Sequence, residues 1–246
     1  MMKAQAKERR GPSRATVVGW AAVAALLGVG VLAVAARPDR AAPVVPPETN
    51  AAGPALPLAV EQEPDLLLAA RTKGDSAAPI TIYEVADFQC PACREFWKET
   101  LPGIEREYLR TGKVRLVFVN FPIVSLHRNA PAAHLVAMCA AQHGRFWPMH
   151  DLLFEKQVEW QALADPQAFF RTLAQTLGLT GEMLQACASG GRLQAMVEME
   201  TETLARSGVR STPSFIVQGA LLAGAAPLSV WRPILDSIST AVAAAR

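Results

Sequence analysis

Residues 80–93 read ITIYEVADFQCPAC and decide the fold. The apolar, β-rich run at 80–85 predicts a strand, and Cys90 and Cys93 follow where that strand gives way to a helix. Two thiols at this spacing, in this place, can exchange a disulfide with another protein. Spacing alone leaves two alternatives open: half of a zinc site, or two unrelated buried thiols. A structural zinc site usually needs two further close ligands, whereas Cys139 and Cys187 stand far apart.

A helix that begins at Cys90 would give the two sulfurs different tasks. The Cys90 thiol would lie over unpaired backbone N–H groups and the positive end of the helix dipole, which both stabilise a thiolate. Its pKa would fall, and Cys90 would become the exposed attacking sulfur. Pro91 suits the first helical turn, where its missing N–H costs nothing. Cys93, one turn further in, is placed to resolve a mixed disulfide.

The pattern of apolar residues downstream predicts a βαβ unit, then a helical insert, then a ββα unit. This order gives a mixed central sheet. Residues 66–71 are a candidate short edge element, and Pro102-Gly103 marks a bend in the first long helix. We expect strands at 80–85, 114–120, 214–218 and 220–223, and helices at 90–110, 126–142, 147–154, 166–177, 181–188, 192–207 and 228–244.

The N-terminal segment predicts export. Residues 15–36 carry no charge, and as a helix these 22 mostly apolar residues would span about 33 Å, enough for a bilayer core. The excess of Lys and Arg in residues 1–14 makes them a cytoplasmic leader and places the chain beyond residue 36 outside the inner membrane, on the periplasmic side. We therefore predict a transmembrane signal anchor. A cleaved signal peptide, with a cleavage site at residues 33–35, is the alternative; both deliver the domain to a space where disulfides persist.

Two features of composition limit the functional classes. Residues 37–64 are rich in Ala and Pro and lack periodic apolar residues, which predicts a semi-extended linker. The charge is uneven, because residues 1–40 carry a net +5 and the remainder a net −3. The basic leader therefore orients the chain in the membrane, and the exported part lacks the excess of basic residues that nucleic-acid binding requires.

Three motifs resemble the DsbA-like branch of the thioredoxin superfamily. They are residues 87–93 (DFQCPAC), the run from Cys139 through residues 146–154 (FWPMHDLLF), and residues 211–215 (STPSF). The likeness covers about residues 70–245 and is to membrane-anchored or exported thiol-disulfide oxidoreductases of bacteria. It implies an α/β thioredoxin fold over residues 65–246, with a helical domain inserted at about 123–207 and a transmembrane or signal segment before it.

The resemblance also implies roles for single residues. Thr212 and Pro213 match a loop whose proline is cis and faces the CxxC motif, where the backbone pairs with a client strand; a trans proline is the alternative. Glu84 matches a buried acid that relays protons to the inner cysteine, and burial should raise its pKa; a solvated glutamate is the alternative. Cys139 and Cys187 match a second, structural disulfide of some relatives; two free buried thiols are the alternative.

The expected activity is the donation of disulfides to exported proteins that carry free thiols, with neither a cofactor nor a bound metal. The resemblance implies a quinone-linked membrane oxidase as a partner. Ala92 departs from the histidine of strongly oxidising relatives, and Thr212 also occurs in isomerase-like ones. Residues 37–64 are too short and Pro-rich for the dimerisation domain of those isomerases, so we expect a monomer. A reductase or isomerase, and a CxxC metal-binding module, are the alternatives.

Overall fold

The computed structural model describes residues 65–245, which contain a five-stranded mixed sheet. The spatial order of the strands is β1-β3-β2-β4-β5. Strands β2 and β3 are parallel, and every other neighbouring pair is antiparallel. The predicted βαβ and ββα units and the mixed sheet are confirmed. The strands are β1 (Thr72–Gly74), β2 (Ile80–Ala86), β3 (Val114–Asn120), β4 (Ser214–Val217) and β5 (Ala220–Ala223).

Helices cover the sheet and form the insert between β3 and β4. The insert comprises α4 (Ala130–Gln142), α5 (Phe146–Glu155), α6 (Gln157–Trp160), α7 (Gln167–Thr176), α8 (Gly181–Ser189) and α9 (Arg192–Arg206). The remaining segments are α1 (Asp65–Ala70), α2 (Pro91–Glu95), a π-helical segment (Phe96–Thr100), α3 (Leu101–Ile104), a second π-helical segment (Glu105–Leu109) and α10 (Leu228–Ala244).

The structure differs from the prediction in two places. The candidate edge element at 66–71 is the helix α1, which the Leu- and Ala-rich run favours, and the edge strand β1 follows it. The first insert helix begins at Ala130 rather than at residue 126. Pro131 occupies its first turn, where the missing N–H is tolerated, and the residues before it form a loop that packs on the CxxC motif.

The helix after the CxxC motif changes its hydrogen-bond pattern instead of breaking at Pro102-Gly103. Pro102 has no N–H to donate to the previous turn, and the π-helical segment just before it absorbs this mismatch. Gly103 allows α10 to approach closely, since a Cβ at this position would collide with the Leu228 side chain. The helix therefore continues to Leu109 and crosses from β2 to the start of β3.

The sheet and the helices enclose three apolar clusters. One lies under the first long helix and α10, where Phe96, Phe215 and Trp231 are fully buried. The second fills the insert around Phe88 and Phe118, and the third covers the opposite face of the sheet. Trp97 and Trp147 pack against both of the first two clusters. The CxxC motif thus lies where the sheet domain meets the insert.

Cys139 in α4 and Cys187 in α8 form a disulfide, with an S–S distance of 2.07 Å. The bond crosslinks two helices of the insert. Cys90 and Cys93 are free thiols, so the structure describes the reduced form of the CxxC pair.

Removing the crosslink should destabilise the chain. A Cys139→Ala/Cys187→Ala variant should lose about 2–4 kcal/mol of unfolding free energy, because the bridge restrains an unfolded segment of 48 residues. Urea unfolding measures this loss. Reductant opens the same bridge in the parent, so the difference should vanish when both proteins are unfolded in excess dithiothreitol. Equal midpoints without reductant would contradict the expectation.

Among residues 65–245, no helix combines the length and the apolar character needed to cross a bilayer. The predicted leader (1–14), anchor (15–36) and linker (37–64) lie outside the described residues.

Candidate functional site

Cys90 lies at the N-terminus of α2, as the sequence predicts. Its extended backbone (φ −71°, ψ 123°) precedes Pro91, the first helical residue. Its backbone N–H donates to the Asp87 carbonyl oxygen at 3.0 Å, which closes the turn between β2 and α2. The residue is only 7% exposed, and Cys93 is fully buried. One sulfur is therefore close to the surface and the other is beneath it.

Hydrogen bonds favour the ionised form of Cys90. A hydrogen bond from the Cys93 thiol is the largest cause, and it lowers the Cys90 pKa from 9.0 to about 6 against the opposing effect of burial. The backbone N–H groups of Ala92 and Cys93 contribute in the same direction. The Thr212 side chain acts in the same direction, and its buried hydroxyl has no hydrogen-bond partner among residues 65–245, so it is free to turn towards the thiolate. Cys90 is therefore mostly a thiolate at neutral pH.

Cys93 has the opposite preference. Burial is the largest cause that raises its pKa well above 9.0, and the hydrogen bond with Cys90 adds to it. The backbone N–H of Asp87 lies 3.5 Å from its sulfur, a long contact that offsets only part of this effect. At neutral pH the pair therefore holds one proton, which is bound to the Cys93 sulfur and donated to the Cys90 thiolate.

The insert fixes the turn that carries Cys90. Gln157 in α6 donates its side-chain amide to the carbonyl oxygens of Phe88 and Cys90, at 2.8 and 3.0 Å. The Gln89 side chain accepts a hydrogen bond from the Asn129 backbone N–H at 2.9 Å. Nothing in the sequence marks Gln157, since a glutamine in a polar stretch has no spacing or motif that points to a role.

Asp87 joins the turn to the insert. It is fully buried, and its carboxylate accepts hydrogen bonds from the backbone N–H groups of Gln89 and Ile123, each at 2.7 Å. The same carboxylate lies 2.8 Å from His127 Nδ1, and this hydrogen bond raises the His127 pKa. The hydrogen bond to Asp87 therefore favours the protonated form of the His127 ring.

Glu84 is fully buried, so the alternative of a solvated glutamate is wrong. Its register partners are Phe118 in β3 and Phe215 in β4, so all three side chains share one face of the sheet. Neither carboxyl oxygen has a hydrogen-bond partner among residues 65–245. Burial is the largest cause that raises the Glu84 pKa from 4.5 to about 8, and Lys73 partly offsets it. An ionised Glu84 would raise the Cys93 pKa further, so the two groups interact.

The loop before β4 completes the site. The Thr212–Pro213 peptide bond is cis, and the Thr212 carbonyl oxygen lies 3.3 Å from the Cys90 sulfur. Residues 90, 93, 212 and 213 are therefore together in space, and Glu84 lies beneath them on the adjoining strand. Cys139 and Cys187 belong to the insert. With His143 they form a cluster of possible metal ligands, but their sulfurs are bonded to each other and are not free thiolates.

Comparison with known proteins gives a family match over most of the described chain. A family profile described as Thioredoxin matches residues 68–237. The Na(+)/H(+) antiporter NhaA 3 of Salinispora tropica is 32% identical over 147 residues, which are 60% of this chain and 21% of that protein. The Probable disulfide bond formation protein D of Bacillus anthracis is 36% identical over 84 residues, 34% of this chain and 39% of that protein. The chain thus spans well under half the length of both relatives.

A solved structure shows the same fold. The crystal structure of Wolbachia pipientis alpha-DsbA1 superimposes with a TM-score of 0.64 at 19% identity, covering 72% of this chain and 94% of the other. The predicted DsbA-like thioredoxin fold with a helical insertion is confirmed.

The ionisation of Cys90 can be measured directly. In the reduced chain, the ultraviolet absorbance of the thiolate should titrate with a pKa of about 6. Cys93→Ala should move this pKa up, since it removes the thiol that donates to Cys90. The Cys90→Ala variant should lack the transition and is the control. A parent transition near 9 would contradict the assignment.

The burial of Glu84 predicts a pH-dependent stability. Its pKa is 4.5 in a model peptide and about 8 in the fold, so the folded chain holds a proton that the unfolded chain releases. The contribution of Glu84 to stability should therefore fall as pH rises between these values, by at most about 1.4 kcal/mol per pH unit. Glu84→Gln should remove this contribution, so its stability relative to the parent should increase with pH, whereas Glu182→Gln, exposed on α8, should follow the parent.

Urea unfolding of the oxidised chain at several pH values tests the slope, because oxidised Cys90 and Cys93 do not titrate. An identical slope in the parent and in Glu84→Gln would place the Glu84 carboxyl in water.

Proposed function

Since this chain belongs to the thioredoxin family, we propose that it is a thiol-disulfide oxidoreductase that donates disulfides through Cys90 and Cys93. The observation that carries the proposal is the difference between the two sulfurs. Cys90 is near the surface with a lowered pKa, and Cys93 is buried with a raised one. Thiol-disulfide exchange needs this asymmetry, because one sulfur must meet the client and the other must close or release the bond.

The proposed cycle begins with an oxidised Cys90–Cys93 pair. A client thiolate attacks the Cys90 sulfur, a mixed disulfide forms, and Cys93 leaves as a thiolate that takes up a proton. A second client thiolate then attacks the client sulfur of the mixed disulfide, and Cys90 leaves as the stabilised thiolate. The client gains one disulfide, and the enzyme is left as a thiolate and a thiol.

Thr212 and Pro213 are proposed to receive the client. They precede β4, and their backbone lies against the Cys90 sulfur, so a client strand passing Cys90 would run beside them. Pairing of an extended segment with exposed backbone is a common mode of peptide recognition. Glu84 is proposed to exchange a proton with Cys93, since both are buried and each influences the ionisation of the other.

The same hydrogen bonds support the proposed direction of the reaction. A stabilised Cys90 thiolate favours the reduced enzyme, and a pair that is stable when reduced is a good oxidant. Ala92 supplies no side-chain donor, but the Cys93 thiol and two backbone N–H groups act in place of one. A CxxC metal module is less well supported, because the buried Cys93 would have to ionise and leave its position to serve as a ligand.

Location and partners are part of the proposal. The charge pattern of residues 1–40 supports a location of the domain on the extracytoplasmic side of the inner membrane of a bacterium, where exported clients would carry free thiols. A membrane disulfide oxidase linked to quinones would restore the Cys90–Cys93 bond, and the chain would act as a monomer.

The oxidised full chain, solubilised in detergent, should oxidise a reduced dithiol peptide. Cys90→Ser should abolish turnover, since it removes the attacked sulfur. Cys93→Ser should instead trap a mixed disulfide between Cys90 and a client, which mass spectrometry detects. The Cys139→Ala/Cys187→Ala variant, which keeps both redox sulfurs, is the matched control and should retain turnover.

Three outcomes would contradict the proposal. Turnover by Cys90→Ser would exclude Cys90 as the redox sulfur. Insulin reduction that far exceeds peptide oxidation would favour the reductase. Stoichiometric zinc or copper in the purified chain would favour the metal module.

A further inference from the structure

The layer between the sheet and the insert contains, besides Glu84, a buried histidine whose ring has an unpartnered nitrogen. His150 in α5 is fully buried, and its Nε2 atom has no hydrogen-bond partner among residues 65–245. The two carboxyl oxygens of Glu84 are in the same condition. Buried polar groups normally have partners, and exceptions often mark groups that exchange protons or bind water.

His150 and Glu84 share a neighbour, Phe118. Phe118 is the register neighbour of Glu84 and projects from the same face of the sheet. The His150 ring stands edge-on to Phe118, with ring centroids 5.5 Å apart, and edge-on to Phe154 at 5.0 Å. The imidazole therefore packs against the aromatic ring next to Glu84, in the layer between the sheet and the insert.

The other side of the imidazole leads to solvent. His150 Nδ1 lies 2.9 Å from Asp151 Oδ1, and the Asp151 side chain is 48% exposed. The Trp97 indole N–H donates to the same oxygen at 3.0 Å and holds the carboxylate in place. Because a carboxylate can only accept, Nδ1 carries the proton, and Nε2 presents a lone pair to the interior.

We propose that His150 and Asp151 form a proton path that joins Glu84 to solvent each time Cys93 gains or loses its proton. The inference rests on the proposed role of Glu84 and adds the route by which Glu84 returns to its resting protonation state. Both residues act as positioned proton carriers and touch neither the client nor the sulfurs.

The path balances during reoxidation by a small aliphatic disulfide. The Cys90 thiolate attacks the disulfide, which forms a mixed disulfide and releases one thiolate. Glu84, which is protonated below about pH 8, passes its proton to His150 Nε2 as it takes the Cys93 proton, and the Nδ1 proton leaves through Asp151 to water. The Cys93 thiolate attacks the Cys90 sulfur and releases the second thiolate. When Cys93 regains a proton in the client half of the cycle, the same transfers run in reverse and restore the proton on Nδ1. One disulfide is reduced, one is formed, and one proton reaches solvent.

The charges around His150 suit a group that is protonated only transiently. Burial lowers its pKa, and the hydrogen bond to Asp151 opposes this effect. Lys73 in β1 also lowers the pKa, and Glu105, which pairs with Lys73 at 2.6 Å, raises it. Lys73 lies over the Trp147 ring, which contacts the His150 ring. His150 is therefore neutral at rest and ready to accept a proton.

Single-turnover reoxidation of the fully reduced full chain by oxidised glutathione tests the path. At about pH 7, His150→Phe and Asp151→Asn should slow closure of the Cys90–Cys93 bond by about tenfold or more, because each removes a proton carrier. The defect should shrink at high pH, where hydroxide can take the proton. The Cys90 pKa should stay unchanged in both variants. His143→Gln, which alters a histidine outside this path, is the matched control.

The outcomes separate the path from the role of Glu84. Asp151→Asn changes a half-exposed side chain and keeps an oxygen that can accept from the Trp97 N–H, so this variant should fold. It therefore tests the proton path even if His150→Phe does not fold. A parental rate and pH profile in Asp151→Asn would overturn the path. If closure of the Cys90–Cys93 bond is slow in Glu84→Gln but has the parental rate in Asp151→Asn, Glu84 exchanges protons by another route. If closure has the parental rate in both variants, the proposed role of Glu84 fails, whereas the proposed thiol-disulfide exchange stands.

Discussion

The redox site depends on a single proton that lies between the sulfurs of Cys90 and Cys93. The Cys93 thiol donates to the Cys90 thiolate at the N-terminus of α2, and this contact lowers one pKa as burial raises the other. The arrangement requires that one sulfur be buried and the other be near the surface, only three positions apart. A strand that ends directly below a helix start meets this condition, because the chain rises from the core to the surface within one turn.

The insert makes the position of that turn rigid. Gln157 holds two carbonyl oxygens of the turn, and Asp87 anchors it to the loop before α4 through Ile123 and His127. The Gln157 hydrogen bonds are buried and those of Asp87 are partly buried, and hydrogen bonds are stronger in such surroundings than in water. A mobile turn would let water reach Cys93 and would weaken the hydrogen bonds on which the Cys90 thiolate depends. The helical insert is therefore a part of the redox site as well as of the core.

The sequence predicts those features that arise from local pattern. Residues 80–93 predict the strand, the helix start and the order of the two sulfurs, whereas the burial of Glu84 is what the family resemblance implies. Features that depend on tertiary contact are not predictable in this way. The run at 66–71 is too short to show the helical period of α1, and the contacts of Gln157 and His150 form only when the insert folds over β2 and β3. Resemblance to a family, rather than spacing, is what pointed to Thr212 and Pro213.

The equilibrium reduction potential of the Cys90–Cys93 pair, measured in glutathione buffers, tests the central claim most directly. The hydrogen bonds at Cys90 stabilise the reduced form, so the account predicts a potential above about −200 mV, in the range of disulfide donors. It also predicts that the potential becomes more negative when the Thr212 hydroxyl is removed by Thr212→Val. A potential below about −250 mV in the parent would mean that the thiolate is not stabilised, and the account would be contradicted.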